Sequence, residues 1–491
     1  MSTTVARWSS SLALLTDLYE LTMAYGYWRS DLALHEAVFH LSFRANPFGG
    51  GFAVACGLAY AVDFLDRFRF SEEDLTYLSA LSGTDGRPLF DERFLEALAA
   101  MELDVDVDAV PEGTVVFAPE PLLRIQGPLI QCQILETALL NLLNFQTLVA
   151  TKAARICLAA GDDPVLEFGL RRAQGIDGGI AASRAAYVGG CAATSNLLAG
   201  EIFGIPVRGT QAHSYVMSFD DEREAFETYG RAMPNNCIFL VDTYNTLKGV
   251  RHVVEVAKQL RREGIEMTGI RLDSGDLAEL SQEARRMLDK AGFPHTVIAA
   301  SNELDEWQIA KLKGQGATIG LWGVGTRLAT AYDQPALDGV YKLAAIRGPG
   351  EPWRHRIKLS KEDPAKGTLP GIHQARRYTL DGRWVGDVIY DVERSKNGPE
   401  EVRKLADAGT FELPEGAYTA YDLLLPIYRD GKRVYTVPST EAARKRALEE
   451  LDRLPEEVRT LTEPASYPLG IDTRVLELRD ALAQEHRSED E

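Results

Sequence analysis

The stretch EFGLRRAQGIDGGIAASRAAYVGGCAATSNLLAGEIFGIPVRGTQAHSY, Glu167 to Tyr215, decides the fold of this 491-residue chain. An apolar run, Val165 to Leu170, ends in the pair Arg171-Arg172. A helix of small residues follows, and a second apolar run, Ile205-Pro206-Val207, ends at Gly209-Thr210-Gln211-Ala212-His213-Ser214. Strand, helix, strand with polar groups at the carboxyl ends of both strands is how α/β enzymes assemble a site. That order predicts Arg171, Arg172, His213 and Ser214 in one mouth.

Working outward, a long helix is predicted over 129 to about 160. Apolar runs recur near 205–208, 237–242, 267–272, 296–300, 318–322 and 340–346, mostly separated by helical segments such as Leu247 to Glu263 and Leu277 to Ala291. Repeated strand–helix units of this kind predict a parallel sheet closing into a barrel over 129–346. Their ends carry polar residues: Asp242-Thr243-Tyr244-Asn245, Arg271-Leu272-Asp273-Ser274-Gly275-Asp276, Ser301-Asn302 and Gly323-Val324-Gly325-Thr326. Residues 1–128 read as an α+β front domain. Its first helix is predicted to start near Leu15 with Thr16 as its cap, Leu15, Leu18 and Tyr19 recurring at helical spacing, and Tyr19 more simply core than functional. Strands are predicted at Ala37–Phe43 and, paired with each other, at 114–117 and 122–125. Residues 347–491 read as a polar, loop-rich region that completes the front domain, disordered from His486 onward.

The formal net charge of -19 argues against general nucleic-acid binding, because the phosphate backbone would be repelled. An anionic substrate would then need local cations, for which Arg171, Arg172, Lys152 and Arg155 are candidates; the bland reading of Lys152 and Arg155 is a solvated helix face. Five scattered cysteines without a CxxC pair read as reduced thiols of a cytoplasmic protein and make a zinc site improbable. No signal peptide is evident, and the uncharged stretch Thr137 to Thr151 is too short and polar to span a bilayer.

Each motif has a structural alternative. The Gly320–Thr326 loop could cradle a phosphate or merely turn between elements; Leu328 stands where a dinucleotide fingerprint needs its third glycine. Arg271, Asp273 and Asp276 could hold an anion, sugar hydroxyls or magnesium, or Ser274 or Asp276 could simply cap the next helix. His213 has no GxSxG elbow beside it, so hydrolase chemistry is unsupported. A sugar-phosphate aldolase or isomerase barrel with His213 as general base is the alternative; a Schiff-base lysine at a strand end would favour it, and Lys342 is the conspicuous candidate.

Together, LLTDLYELTMAYGYW (14–28), NPFGGGFAVACGL (46–58), LVATKAAR (148–155), EFGLRRAQGIDGG (167–179), GTQAHSY (209–215), VDTYNT (241–246), IRLDSGDL (270–277) and GVYKLAAI (339–346) resemble nicotinate phosphoribosyltransferases. The resemblance implies a type II phosphoribosyltransferase fold, an irregular α/β barrel with an α+β front domain, in a head-to-tail homodimer. It implies attack of the nicotinate ring nitrogen on C1 of 5-phosphoribosyl 1-diphosphate, coupled to ATP through a transient phosphohistidine at His213. By the same resemblance Asp273 holds ribose hydroxyls, and Gly323, Gly325 and Thr326 cradle the 5′-phosphate. Arg171, Lys358 and Lys361 face diphosphate or ATP phosphates screened by magnesium, and Gly209 and Ser301 complete the substrate-binding set. Tyr19 from the partner subunit stacks on the pyridine, while Ser214 and Arg271 read its carboxylate. Serine after His213, where the nicotinamide-using relative has aspartate, favours the acid; nicotinamide is the alternative substrate.

Overall fold

Two short polar residues start the helices that frame the parallel sheet. The Asn245 side chain accepts from the Lys248 N–H at 2.9 Å and opens α1, Thr246–Arg262. The Asp276 carboxylate accepts from the Ala278 and Glu279 N–H groups, both at 3.1 Å, and opens α2, Leu277–Lys290. Such caps satisfy donors that the first turn leaves unpaired. Each helix then buries one stripe, Val250, Val253, Ala257 and Leu260 on α1 and Leu277, Ala284 and Leu288 on α2. Apolar side chains at this spacing share a face, and the sheet supplies the surface that covers it.

The structure is a computed structural model that describes residues 11–359, 367–406, 409–413 and 416–489. The chain forms two units, one of residues 149–335 and the other of residues 1–148 with 336–491. In the first, six parallel strands make one sheet: β1 (Val165–Glu167), β2 (Ala193–Thr194), β3 (Ile238–Leu240), β4 (Gly269–Leu272), β5 (Val297–Ala300) and β6 (Leu321–Val324), in the order β2-β1-β6-β5-β4-β3.

The two edges of this sheet are joined by segment 207–211 rather than by a ladder. Val207 forms a parallel bridge with Thr194 on one edge. On the other, Asn236 Nδ2 donates to the Gly209 carbonyl at 2.8 Å and Gln211 Nε2 to the Ile238 carbonyl at 3.4 Å. Side-chain amides thus stand in for a strand, which makes the barrel irregular. Pro206 accepts from the Thr194 N–H at 3.0 Å but has no N–H of its own to give, which limits pairing with β2. The run expected as a strand at 205–208 is accordingly a single bridge.

The run at 340–346 is not a barrel strand. Gly339–Arg347 pairs antiparallel with Glu36–Phe43 in the other unit, Ala37 opposite Ile346 and Phe43 opposite Gly339. Apolar composition marks a strand as buried without naming its neighbour. Here cross-strand chemistry names it: Arg347 Nε donates to Glu36 at 2.9 Å, and the Phe39 and Tyr341 rings stack with centroids 4.8 Å apart. The barrel unit therefore spans 149–335 instead of 129–346, and the helix Glu136–Ala160 crosses its first boundary.

Within that second unit, the expected pairing of 114–117 with 122–125 is absent. Val115–Val116 pairs with Ala53–Val54, while Pro121–Pro128 lies between Glu36–Phe43 and Asp106–Ala109. His373–Leu380 and Arg383–Asp391 form a hairpin in a five-stranded sheet. The last described helix, Thr473–Glu489, includes His486, where the sequence predicts disorder. At the other end residues 1–10 lie outside the described residues, while Ser11 and Ala13 are buried.

The first helix spans Leu18–Trp28 with Asp17, not Thr16, at its cap position; the Thr16 hydroxyl donates instead to the Ile134 carbonyl at 3.3 Å. It buries Glu20, Leu21 and Ala24 and leaves Leu15, Leu18 and Tyr19 outside, Tyr19 being 48% exposed. The simpler reading of Tyr19 as core is thereby corrected. Among the described residues no helix is long and apolar enough to cross a membrane.

Candidate active site

The carboxyl ends of β4 and β5 bring the polar groups together. Asp273 follows β4. Its Oδ1 accepts from the Ser301 hydroxyl at the end of β5, and its Oδ2 lies 3.5 Å from His213 Nε2. The other ring nitrogen of His213 meets the Thr243 hydroxyl at 3.2 Å. The imidazole is thus held between two elements while remaining 39% exposed, open to a reactant. Asp242, beyond β3, fixes the turn that carries Asp273: its Oδ2 accepts from the Asp273 N–H and from the Ser274 hydroxyl, both at 2.7 Å.

A cavity of about 150 Å³ opens here, walled by Arg171, Arg172, Arg271, Asp273, Ser301, Gly323, Gly325 and Thr326 together with Phe168, Asn302 and Glu303. Gly323 is required by packing: a Cβ there would lie 2.7 and 2.8 Å from carbons of the Phe168 ring. Arg171 and Arg172 sit on a 3-10 turn, Leu170–Arg172, exposed toward this space. Beneath them the buried Glu167 carboxylate anchors the end of β1, accepting from the Gly169 N–H, from Ser183 Oγ at 2.8 Å and from Thr194 Oγ1 at 2.6 Å.

Arg271 also borders a second, larger cavity of about 710 Å³ inside the sheet, lined by Ala192, Ala193, Ala299 and Ala300 and reaching Pro164 and Thr268 at the strands' amino ends. Leu166, Ile238 and Leu321 line it as well, so the alanines leave space among bulkier side chains. Burial lowers the Arg271 pKa from its usual value, against the raising influence of Asp273 and Asp242. A guanidinium titrates so high that it stays cationic at neutral pH. The locally cationic mouth that an acidic chain would need for an anion is present.

The remaining predicted residues are placed as follows. Gly209 lines the larger cavity through its backbone. Ser214, next to His213 on the short helix His213–Met217, is exposed and has no side-chain hydrogen bond among the described residues. Tyr19 and Lys358 belong to the other unit, and Lys361 lies outside the described residues. Lys152 and Arg155 are neither free for an anion nor solvated. Both are buried, with Lys152 2.7 Å and Arg155 2.9 Å from Glu306. Of the candidate caps, Asp276 caps α2 and Ser274 does not. Lys342 lies on the antiparallel strand Gly339–Arg347, outside the parallel sheet, which removes the Schiff-base candidate.

Sequence reasoning assigned no role to Thr243, Asp242, Glu167 or Thr210. All four stand inside the quoted motifs, but a role as orienting partner depends on a contact that spacing does not reveal.

Comparison with known proteins converges on one family. The chain matches the model of the nicotinate phosphoribosyltransferase (NAPRTase) N-terminal domain over residues 14–144 and that of the C-terminal domain over 373–479. It is 42% identical to nicotinate phosphoribosyltransferase of Bacillus subtilis (strain 168), over 94% of this chain and 93% of that protein. It is 37% identical to that of Homo sapiens, over 96% of each. The crystal structure of human nicotinic acid phosphoribosyltransferase superposes with a TM-score of 0.80 at 34% identity, covering 95% of this chain and 99% of that one.

Proposed function

The chain belongs to the nicotinate phosphoribosyltransferase family, and on that premise we propose how it carries out the family's reaction, the phosphoribosylation of nicotinate for NAD biosynthesis. The observation that supports the residue roles best is the junction at Asp273. One carboxylate there touches both the His213 imidazole and the Ser301 hydroxyl, beside a cavity bearing three arginines and two glycines.

In the transfer step the pyridine nitrogen lone pair forms the bond to C1 as the C1–oxygen bond to diphosphate breaks, its electrons leaving with diphosphate. Such an oxocarbenium-like transition state asks for positioning and electrostatics more than for a nucleophile on the protein. We assign Asp273 to the ribose hydroxyls and Gly323, Gly325 and Thr326 to the 5′-phosphate. Arg171 faces the diphosphate. Arg271 takes the nicotinate carboxylate, as a guanidinium suits a planar anion. Ser214, Gly209 and Ser301 complete the substrate-binding set.

ATP use would run through His213: a ring nitrogen attacks the terminal phosphorus, ADP leaves, and the phosphoramidate is hydrolysed in the cycle. An imidazole is nucleophilic near neutral pH, and contacts to Thr243 and Asp273 would fix its plane. Among the described residues no group of three His, Cys, Asp or Glu side chains could hold a metal. Magnesium would therefore be carried by the diphosphate, whose charge it screens. Asp273 and Glu303 are the carboxylates that line this cavity, and the Asp242 Oδ1 behind Asp273 is buried without a hydrogen-bond partner.

Outward-facing Leu15, Leu18 and Tyr19 support a homodimer in which Tyr19 serves the partner's pyridine site. Five free cysteines support a reducing, cytoplasmic setting.

The test is mononucleotide formation from 5-phosphoribosyl 1-diphosphate and magnesium, with nicotinate or nicotinamide, each with and without ATP. Nicotinate turnover raised by ATP, with nicotinamide inert, is the expected result. Preferred turnover of nicotinamide would overturn the substrate, and no product from either would overturn the activity.

A further inference from the structure

Arg271 is a half-buried cation, open to both cavities, that its own protein leaves without a carboxylate partner. It forms no ion pair with a carboxylate among the described residues, and its buried Nε has no hydrogen-bond partner. One neutral group holds it: Nη1 donates to the Thr210 hydroxyl at 2.5 Å. Asp242 and Asp273 lie close enough for their charges to act on Arg271, and Asp242 Oδ1 is itself buried without a partner. A guanidinium and a carboxylate oxygen, each unsatisfied and each costly to bury, would gain by pairing with one another. The Thr210 oxygen is what directs the guanidinium elsewhere.

We propose that Thr210 is a specificity-determining positioning residue: its uncharged oxygen orients Arg271 without neutralising it, so the guanidinium keeps a full charge for the substrate carboxylate. A carboxylate at 210 would discharge Arg271, and an apolar residue would let it turn toward Asp242. In either case the advantage of the acid over the amide falls. The inference rests on the assignment of Arg271 to the nicotinate carboxylate.

The experiment compares Thr210→Val, Thr210→Ala, Thr210→Ser and Thr210→Asp with the wild type in the mononucleotide assay, varying nicotinate, nicotinamide and 5-phosphoribosyl 1-diphosphate separately. Where nicotinamide does not turn over, its inhibition constant replaces KM. Loss of one hydrogen bond to a charged group should raise the nicotinate KM of the Val and Ala variants by about tenfold with kcat within about twofold. Thr210→Ser, which keeps the acceptor, should return KM to within about threefold of wild type, whereas Thr210→Asp should lower the nicotinate-to-nicotinamide ratio by about a hundredfold. Two acceptor-free variants guard against one that fails to fold. The tether is refuted if both keep the wild-type nicotinate KM, if the diphosphate KM rises equally, or if serine does not rescue. Absence of nicotinate turnover by the wild type refutes the assigned activity instead, so the two failures are distinguishable.

Discussion

Replacing Glu306 by Gln keeps the side chain's shape and removes one charge from a site with almost no water. Glu306 is fully buried and receives Lys152 at 2.7 Å through one oxygen and Arg155 at 2.9 Å through the other. Asp333, the second carboxylate on Lys152, is 2.5 Å away but its side chain is 35% exposed. With Gln at 306 both buried cations lose the Glu306 charge, while Lys152 keeps Asp333. Removing one member of a buried ion pair costs about 3–5 kcal/mol, since the partner charge stays behind without compensation. Asp333→Asn removes the same formal charge where solvent can replace it, for which about 0–1 kcal/mol is expected. Urea unfolding followed by tryptophan fluorescence suits the comparison, because Trp307 and the buried Trp322 lie in the same unit as these residues. The expected outcome is a large drop in midpoint for Glu306→Gln and a small one for Asp333→Asn. Equal shifts, or a Glu306→Gln loss below about 1 kcal/mol, would refute the claim that burial sets the cost.

Other outcomes follow from the same geometry. His213→Ala should abolish the stimulation of mononucleotide formation by ATP while sparing some ATP-independent transfer; unchanged stimulation would remove His213 from the phosphoryl-carrying role. Gly323→Ala puts a Cβ 2.7 Å from the Phe168 ring and should lower kcat/KM for 5-phosphoribosyl 1-diphosphate by about tenfold or more, read from steady-state kinetics. Burial first, then the neighbouring Glu20 charge, raises the Glu136 carboxyl from its ordinary value of 4.5 to about 7. A carboxyl raised on folding favours the folded state below its unfolded pKa, and that favour is lost as pH climbs through the folded value. The melting temperature should therefore fall between pH 4.5 and about 7 partly through Glu136, and Glu136→Gln should flatten that slope. An unaltered slope in the variant would discount the site.

Which residues share the cavity was legible because it depends on kinds of group at the ends of predicted strands. Arg171, Arg271, Asp273, Ser301, Gly323, Gly325 and Thr326 do line one cavity. His213 reaches the same cluster through Asp273. What spacing could not show is which group restrains which. Thr210 and Thr243 sat in plain view within quoted motifs, yet their contacts cross 61 and 30 positions of chain. Lys152 and Arg155 looked like surface charges because a buried ion pair and a solvated face read alike in sequence.

By itself the sequence determined the recurring strand–helix units, a cap for α2 at Ser274 or Asp276, and the type of side chain offered at each strand end. These depend on local periodicity and on hydrogen bonds between near neighbours. Tertiary structure alone decided that Gly339–Arg347 joins Glu36–Phe43, that segment 207–211 joins the sheet edges through Asn236 and Gln211, and that Leu18 and Tyr19 of the first helix face outward while Leu21 and Ala24 are buried. Each is a choice of partner among surfaces of similar polarity. Hydrophobic burial is non-directional, so such a choice is made by the side chains that happen to meet across the contact.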